Sequence, residues 1–448
     1  MRRQDLSNRV AIIGAGFAGT MTAVQLARRG IDVTLIGRAP QVGKWVAYST
    51  EDPAHLLNIS AVKMGAWPDA PGDFAAATGS DVEAYVPRML FGKYLRDILE
   101  ASAVTVVEGE AVGVEPGEGW TVLMADGSSI AADALVLAPG NQAPDALPFA
   151  LALPERLFAA DPWGPGGRAA IKEAVRTGGD VLVVGSGLSM IDVALSLDAA
   201  GHKGKLVAVS RRGQRPRVHL DAMTAVPSSD DAATGSLRAL FRWVRQRTSE
   251  VEWRDAVDSV RPRTHELWGS LSLDDQRRFM RHARPWWDVH RHRIAPQAGE
   301  IVERMIAEGR MEVLGGRVQS LLELERPSTS SGRAISLEAV IRQRGAANVD
   351  APRQFAVGIN CTGPLHAIAR TRDPVLRSLL DAGLAEPDAL GIGLKVDEGV
   401  RVIGADRLWA MGSLGKARYW EIIAVPDIRV QAAEVADAIA RELEHVGR

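Results

Sequence analysis

The chain has 448 residues, of which 24% are charged and 46% are hydrophobic, and its formal net charge at pH 7 is −2. This length predicts two or three domains, and the balanced charge gives no reason to expect nucleic acid or an anionic membrane surface as a partner. The single cysteine, Cys361, excludes an intramolecular disulfide framework and argues against a disulfide reductase with a Cys-x-x-Cys pair. No stretch approaches about 18 apolar residues, so we expect no membrane-spanning segment and a cytoplasmic location.

The first predicted unit begins RVAIIGAGFAGT, an apolar strand that runs directly into a glycine turn. Gly14, Gly16 and Gly19 have the G-x-G-x-x-G spacing of a dinucleotide-binding turn. The first glycine permits the tight turn, the second lets the backbone approach a pyrophosphate, and the third lets the next helix pack closely on the strand. A helix and a second apolar strand follow, so we expect a βαβ unit that holds a pyrophosphate at the helix N-terminus.

The end of the second strand departs from the usual pattern. Such units place an acidic side chain there for the ribose hydroxyls, but this sequence reads Gly37-Arg38, so the adenosine needs another partner. Residues 38 to 75 show no sustained period and many turn formers, which predicts a long ordered loop around a cofactor. His55 and Asn58 are its most chemically capable residues. The alternative for His55 is a buried, hydrogen-bonded residue that contacts no ligand.

The following segment changes from helix to strand. An amphipathic helix is predicted after Pro87, and residues 104 to 138 are interpreted as three short strands separated by glycine-rich turns. The last of them leaves the sheet at Pro139-Gly140. Residues 141 to 168 are rich in proline and glycine, which suggests a domain boundary.

Beyond this linker the opening pattern repeats. An apolar strand at residues 181 to 184 runs into GSGLSMID, a second glycine turn with Gly185, Ser186 and Gly187. The third glycine position is Met190, so this copy alone is a weaker signal than the first. Asp192, on the following helix, is interpreted as a surface or capping residue.

The second unit ends at Ser210-Arg211-Arg212, again without an acid. This is the pattern expected where a 2′-phosphate replaces the free ribose hydroxyl. Arginine offers phosphate charge-assisted and often bidentate contacts, so we expect a phosphorylated nicotinamide dinucleotide here.

Residues 216 to 300 interrupt the second unit with helical, charged sequence, which predicts a helical insertion. Its segment RHARPWWDVHRHR is strongly basic. One hypothesis makes Arg291, Arg293, His290 and His292 an anion-receiving wall for a carboxylate-bearing substrate. The alternative is a solvated basic helix face anchored by tryptophans. The surrounding arginines would repel a cation, so no metal site is predicted.

After the insertion, residues 311 to 325, 334 to 345 and 355 to 363 repeat the three-strand arrangement of the first unit. A late strand ending at Met411-Gly412 and a helix near Pro426 are expected to pack back on the first unit. The predicted fold class is therefore α/β, with two Rossmann-like dinucleotide-binding domains, each with a three-stranded β-meander, plus the helical insertion. The predicted division is residues 1–150, 165–360 and 361–448, the last completing the first domain.

The motifs DPAHLLNISAVKMGAWP, YVPRMLFGKYL, GSGLSMIDVALSL, SRRGQRPRVH, VHRHRIAP and YWEIIAVPDIRVQ together resemble a bacterial family described as FAD/NAD(P)-binding proteins, over nearly the whole chain. Wider relatives of that family include flavin-containing monooxygenases and amino-acid N-hydroxylases. The resemblance implies FAD at the first glycine turn and NADPH at the second. The residues it implies for FAD are Gly14, Gly16, Gly19, Gly412 and Pro426, and those for NADPH are Gly185, Ser186, Gly187, Arg211 and Arg212. We also predict cofactor contacts at Phe17, Ala18, Arg38, His55, Asn58, Gly140 and Ser210. Ser413 stands where many such flavoproteins have an aspartate, which leaves the ribityl contact open.

The leading functional hypothesis is an FAD-dependent, NADPH-using oxidoreductase of monooxygenase type. Its reduced flavin would react with molecular oxygen to hydroxylate a small, carboxylate-bearing substrate. The alternatives are an oxygen-independent flavin reductase and a flavoprotein with a regulatory binding role. Because the cofactors carry this chemistry, no catalytic side chain is predicted.

Overall fold

The computed structural model describes residues 8–38, 48–220, 227–327, 333–346 and 350–446, so part of the long loop predicted at 38 to 75 lies outside the described residues. The strands are β1 Arg9–Ile13, β2 Asp32–Gly37, β3 Thr105–Glu108, β4 Ala111–Pro116, β5 Trp120–Met124, β6 Ser129–Ala132, β7 Ala134–Leu137, β8 Phe158–Ala159, β9 Val181–Val184, β10 Leu206–Ser210, β11 Met311–Pro327, β12 Arg333–Gln343, β13 Arg353–Phe355, β14 Val357–Asn360 and β15 Leu408–Ala410.

The α-helices are α1 Phe17–Ala27, α2 Asp73–Thr78, α3 Arg88–Glu100, α4 Pro165–Thr177, α5 Leu188–Ala199, α6 Leu237–Arg247, α7 Trp253–Asp258, α8 Thr264–Ser270, α9 Leu273–Arg278, α10 Arg284–Arg291, α11 Pro296–Ala307, α12 Pro374–Asp381 and α13 Val425–Val446. A π-helical turn, Phe279–Ala283, precedes α10. Short 3-10 turns include Ala61–Lys63 and Gly412–Gly415.

The first sheet has five parallel strands in the order β15-β7-β1-β2-β3. Its central strand β1 is buried on both faces because it is apolar from Val10 to Ile13. Helices α1 and α13 pack together, and an ion pair of 2.6 Å between Arg29 Nη2 and Asp437 Oδ1 joins them. The C-terminal strand and helix therefore complete the first unit, as the sequence predicted.

The segment that was predicted as three strands forms five. The chain turns at Gly109, which separates β3 in the parallel sheet from β4 in a three-stranded antiparallel meander, β4-β5-β6. Asp133 then separates β6 from β7, and its Oδ2 accepts a hydrogen bond of 2.9 Å from the Arg9 backbone N–H. In the sequence β3 and β4 look like one apolar run, and β6 and β7 look like another. Each run contributes one strand to the parallel sheet and one strand to the meander.

The second sheet has seven strands in the order β13-β12-β11-β10-β9-β14-β8. Strand β11 has two roles. Its residues 311–315 pair parallel with β10, and its residues 316–327 pair antiparallel with β12. The second meander, β11-β12-β13, is thus continuous with the parallel sheet. These two sheets confirm the predicted α/β class with two Rossmann-like units, while the domain boundaries given above stay a prediction.

Helices α6 to α10 lie between β10 and α11, within the predicted insertion. They pack on the C-terminal segment through a small aromatic cluster. Trp268 stacks on Trp420 with ring centroids 4.8 Å apart, and Phe279 meets Trp420 edge-on at 5.4 Å. The insertion is consequently anchored beside the end of β15 rather than projecting from the second sheet.

Candidate functional site

The first glycine turn has the geometry that its spacing predicted. Gly14 has φ +110°, and an added Cβ there would lie 2.1 Å from the Ala138 carbonyl oxygen. An added Cβ at Gly19 would lie 1.9 Å from the Gly14 oxygen. Gly16 is the N-cap of α1 and carries no side-chain cap, so the first N–H groups of that helix are available to an anion. Phe17 is buried against Phe91, with ring centroids 5.8 Å apart.

The second glycine turn repeats this geometry. Gly185 has φ +114°, and an added Cβ would lie 2.1 Å from the Cys361 carbonyl oxygen. Gly14 therefore faces the backbone just after β7, and Gly185 faces the backbone just after β14. In each unit that strand is the parallel neighbour of the strand that leads into the glycine turn. Burial raises the pKa of the Cys361 thiol, so this side chain is not a nucleophile. Its position requires a backbone carbonyl and a small side chain.

Gly187 differs from the glycines that protein packing requires. It is the N-cap of α5, its backbone has φ −88°, and an added Cβ would meet no atom within 4 Å. The fold does not need a glycine at this position, whereas the close approach of a pyrophosphate to the helix N-terminus does. The residues present thus fit a dinucleotide at the second turn.

The end of β10 presents two free arginines. The hydroxyls of Ser186 and Ser210 lie 2.7 Å apart, and the Gly213 backbone N–H donates to Ser210 Oγ at 3.1 Å, which fixes the loop. Arg211 is exposed and Arg212 half-buried, and neither has a hydrogen bond or ion pair with any residue that the structure describes. Both guanidinium groups are therefore free to meet a phosphate.

At the corresponding end of β2, the arginine has a carboxylate partner. Arg38 lies on the surface, with Nη2 3.4 Å from Glu110 Oε1, and both side chains are exposed. An exposed pair of this kind contributes less than about 1 kcal/mol. Arg38 can therefore exchange this partner for a ligand at little cost.

The residues predicted for the flavin end come together at the carboxyl edge of the first sheet. Gly14, Gly140 and Gly412 follow β1, β7 and β15, which are neighbouring strands. Ser413 Oγ donates to the Gly140 carbonyl at 2.9 Å, and the Gly412 N–H donates to Gln431 Oε1 at 3.0 Å. Ligands of open parallel sheets bind at this edge.

The N-terminus of α13 faces the insertion. Pro426 is the second residue of this helix, and Asp427 follows it with Oδ2 3.2 Å from Arg261 Nη2. Burial lowers the pKa of Arg261, and the charge of Arg291 adds to this effect. The predicted flavin end therefore lies beside basic side chains of the insertion.

The structure places His55 and Asn58 in contact with the second unit, and their role as FAD contacts stays a prediction. His55 is buried, with Nδ1 2.8 Å from Thr50 Oγ1 and Nε2 2.9 Å from Ser196 Oγ in α5. The Asn58 carbonyl accepts a hydrogen bond of 2.9 Å from His219 Nε2. His55 thus has the position that its alternative interpretation describes, a hydrogen-bonded buried residue.

A buried ion pair that sequence analysis missed lies in the same region. Arg88 Nη1 and Nη2 each donate to one Asp192 oxygen at 3.0 Å, and the side chains are 12% and 6% exposed. The prediction that Asp192 is a surface or capping residue is therefore wrong. A charged residue inside the otherwise apolar run MIDVALSL was the available signal, since such a residue needs a buried partner.

The basic cluster of the insertion is largely neutralised by carboxylates. Arg291 Nε lies 3.4 Å from Glu421 Oε2, and His292 Nε2 lies 3.3 Å from Glu421 Oε1. Arg293 is 3% exposed and pairs with Asp258 at 2.5 Å. His290 Nδ1 lies 2.8 Å from the Trp286 carbonyl. The anion-receiving wall stays a prediction, but its two arginines already have partners.

Glu421 is the centre of this network. Burial alone would raise the pKa of its carboxyl group, but His292, Arg291 and a hydrogen bond of 2.9 Å from Trp287 Nε1 outweigh burial and lower the pKa to about 2. The residue has φ +74°, an unusual conformation for a side chain of this size. The network fixes the insertion to the segment between β15 and α13.

A second basic group, which sequence analysis also missed, lies at a small cavity. Arg284 Nη2 lies 3.0 Å from His366 Nε2, and Lys416 lies on the same wall. Arg284 contacts His366 but does not itself line the cavity, whose lining consists of His366 and Lys416 together with Gly140, Asn141, Gln142, Leu365, Ile368, Ile392, Ser413 and Leu414. The three basic residues are 50 or more positions apart, so no local spacing announced them.

Burial controls the titration of these groups. Burial lowers the pKa of His366 to about 3, and the charges of Arg284 and Lys416 act in the same direction. Burial also lowers the pKa of Lys416 to about 8, with Arg284 adding to the effect and Asp388 opposing it. Because arginine can only donate, His366 Nε2 must accept, which requires a neutral imidazole.

Two negative findings concern the described residues. None of their His, Cys, Asp and Glu side chains form a group of three or more that could hold a metal ion. Of the helices within the described ranges, none combines the length and apolar character needed to cross a membrane.

Residues 11–142 match the family model described as FAD-NAD(P)-binding. A curated relative, the methylenetetrahydrofolate–tRNA-(uracil-5-)-methyltransferase of Lactobacillus delbrueckii subsp. bulgaricus, is 29% identical over 134 residues. The matched stretch covers 26% of this chain and 30% of that protein's length. The family-model match therefore concerns the first dinucleotide-binding unit.

Solved structures resemble the whole chain. The reduced form of ornithine hydroxylase from Pseudomonas aeruginosa aligns over 97% of this chain and 99% of that chain, with a TM-score of 0.65 and 17% identity. The ornithine N-hydroxylase of Kutzneria sp. 744, whose structure contains reduced FAD, NADP⁺ and L-ornithine, has the same coverage with a TM-score of 0.66 and 14% identity. At these identities the likeness shows the fold. The chain therefore carries an FAD-NAD(P)-binding domain and has the fold of the two-dinucleotide-binding flavoproteins.

Proposed function

We propose that the protein is an FAD-dependent, NADPH-using monooxygenase that hydroxylates the amine nitrogen of a small substrate. The observation that carries the proposal is the pair of glycine turns with one geometry. Gly14 and Gly185 each face the carbonyl of a neighbouring strand exit, and each turn leads into an uncapped helix N-terminus. One chain thus offers two pyrophosphate sites, as hydride transfer between two dinucleotides requires.

The assignment of the two turns follows from their surroundings. The first turn shares its sheet edge with Gly140 and Gly412, so we assign FAD to it. The second is followed by Arg211 and Arg212, which have no partner among the described residues, so we assign NADPH to it. When bound, the nicotinamide supplies the hydride and the flavin carries the oxygen chemistry. The chain's own residues bind and orient both.

Two observations favour oxygenation over disulfide reduction. The sequence has one cysteine, which is buried, so the chain cannot form a redox-active cysteine pair. The two ornithine hydroxylases superpose on the chain with TM-scores of 0.65 and 0.66, whereas two thioredoxin reductases, at similar coverage, reach 0.54 and 0.52. We therefore propose an amine that bears a carboxylate, such as a diamino acid, as the substrate class.

The experiment is a two-stage reaction with the purified, FAD-loaded protein. NADPH is first added without oxygen, and loss of flavin absorbance reports hydride transfer. Oxygen is then admitted with ornithine, lysine, putrescine or cadaverine, and mass spectrometry searches for a product heavier by one oxygen atom. The proposal predicts flavin reduction followed by such a product. Reduction with hydrogen peroxide as the sole oxygen product for all four amines contradicts the substrate class, and absence of reduction contradicts the cofactor assignment.

A further inference from the structure

Lys416 is the charged side chain that lines the cavity beside His366, and no carboxylate belongs to that lining. Lys416 is half-buried and has no hydrogen bond or ion pair with any residue within the described ranges. Arg284 lies close by, since its guanidinium contacts His366 and its Nε is 3.3 Å from Asp288 Oδ2. Arg284 is therefore paired with Asp288, whereas Lys416 has no carboxylate in contact with it.

The nearest other carboxylate is already engaged. Asp388 accepts backbone N–H groups from Leu390 at 2.7 Å and Ile392 at 3.4 Å, and also from Gly393. These bonds hold a tight turn between residues 388 and 393, so the carboxylate is not free to approach the lysine. The negative charge of Asp388 raises the pKa of Lys416 without a direct contact between the two side chains.

A half-buried ammonium group without a partner is stabilised by any anion that can reach it. The surrounding structure fits such an anion. Asn141 and Gln142 supply amide groups to the cavity wall, and His366 Nε2 is occupied by Arg284. The small size of the cavity suits one small polar head group rather than a second dinucleotide.

The location connects this cavity with the proposed chemistry. Gly140 and Ser413 line it, and these residues follow β7 and β15, the strand ends assigned to the flavin. Leu365 and His366 come from the exit that follows β14 of the second sheet. The cavity thus lies between the flavin edge and the chain that leaves the NADPH unit, where a substrate must sit to meet the flavin.

We propose that Lys416 binds the carboxylate of the substrate in this cavity, while Arg284, which contacts His366, adds positive charge beside it; the amine end of the substrate then faces the flavin. The proposal rests on the function proposed above for its substrate, but the anion site itself can be tested without turnover. It also differs from the wall predicted at Arg291 and Arg293, because those two side chains are already paired with Glu421 and Asp258.

The first test measures protection of Lys416 on the wild-type, FAD-loaded protein. Lysines are acetylated at pH 8 with limiting reagent, and the labelling rate of each is followed by peptide mass spectrometry. Sodium acetate should slow labelling of Lys416 at least several-fold, whereas acetamide and sodium chloride at the same ionic strength should not. Lys395, which is half-exposed and pairs with Glu386 at 3.0 Å, is the control and should label equally in all three solutions. Equal labelling of Lys416 in acetate and chloride would overturn the anion site, and protection by inorganic phosphate but not acetate would replace the carboxylate with a phosphate.

The second test uses matched substrates. Lys416→Met should raise KM for lysine about tenfold or more relative to wild type, as expected for loss of one charged hydrogen bond, and should leave KM for cadaverine unchanged. Lys416→Arg should recover part of the loss, and Lys395→Met should change neither constant. Equal effects on both substrates would contradict carboxylate binding. If neither amine is hydroxylated, the proposed function fails while the labelling test still decides whether the cavity binds an anion.

Discussion

Arg88 of α3 and Asp192 of α5 form a two-point ion pair whose two nitrogen–oxygen distances are both 3.0 Å. The pair joins the first unit to the helix that starts at the second glycine turn. The Arg88 Nε also donates to the Leu56 carbonyl at 2.9 Å, so the long loop is tied to the same point. The relative position of the two dinucleotide sites therefore depends on a buried charge pair.

Breaking this pair should destabilise the protein strongly. Asp192→Asn leaves the Arg88 guanidinium without its counter-charge in a buried site, a change that typically costs about 3–5 kcal/mol. The measurement is the free energy of unfolding by urea, monitored by tryptophan fluorescence. Asp437→Asn, which removes the more exposed partner of Arg29, is the control and should cost less than about 1 kcal/mol. Similar losses in the two variants would show that the buried pair has no special role.

The two glycines of the second turn should respond to alanine in opposite ways. Gly185→Ala places a Cβ 2.1 Å from a backbone oxygen in a left-handed conformation, so the variant should lose stability or fail to fold. Gly187→Ala meets no protein atom, so its melting temperature should stay close to wild type while its affinity for NADPH falls at least tenfold. Calorimetric melting and NADPH titration give the two quantities. Unchanged NADPH affinity in Gly187→Ala would place the nucleotide elsewhere.

NADPH should be preferred to NADH because of Arg211 and Arg212. A charged hydrogen bond is worth about 1.5–3 kcal/mol, so one good contact with the 2′-phosphate implies roughly a ten- to hundredfold preference. The measurement is kcat/KM for flavin reduction by each nucleotide in wild type and in the double alanine variant. Arg215→Ala is the control, since its guanidinium pairs with Glu303 at 2.7 Å. A preference that survives the double substitution would refute the assignment.

Acid should destabilise the fold through His219. Burial lowers the pKa of this imidazole to about 4, and the charges of Arg293 and Lys63 add to the effect while Asp258 opposes it. Between pH 6.5 and 4 the unfolded chain binds a proton that the folded protein rejects, so stability is unaffected above pH 6.5 and falls as the pH decreases through this window. The loss should be on the order of 2 kcal/mol after allowance for partial exposure.

The check is His219→Gln, which removes the titration and keeps a donor for the Asn58 carbonyl. Its free energy of unfolding should fall less than that of wild type between pH 6.5 and 4. His445→Gln, at an exposed position near the end of α13, should follow wild type. A wild-type slope in both variants would mean that another group controls acid sensitivity.

The two βαβ units could be predicted because their signals are local. Glycines at fixed spacing between an apolar strand and a helix, three in the first turn and two in the second, define a turn without knowledge of any distant residue, and both turns have the expected backbone. The strand count of residues 104 to 138 was wrong because Gly109 and Asp133 each divide an apolar run between two sheets. Which sheet each half joins depends on the strands it pairs with elsewhere in the chain.

The candidate site was less predictable, since its charges meet only after folding. Arg88 and Asp192 are 104 positions apart, and Arg284 and His366 are 82 apart. The basic segment at 281 to 293 was conspicuous in the sequence, yet Arg291 and Arg293 are paired with Glu421 and Asp258, whose positions no spacing rule connects to them. The sequence shows which residues are basic, but it does not show which of them lack a carboxylate partner after folding.

The contact between Gly185 and the Cys361 carbonyl has a practical consequence. Because the turn uses a backbone oxygen, and because Ala138 occupies the matching position in the first unit, Cys361→Ala should preserve the fold. That substitution would remove the only thiol in the chain. A single new cysteine on each unit could then carry a spectroscopic probe, so that the distance between the two dinucleotide sites could be followed while the cofactors bind and react.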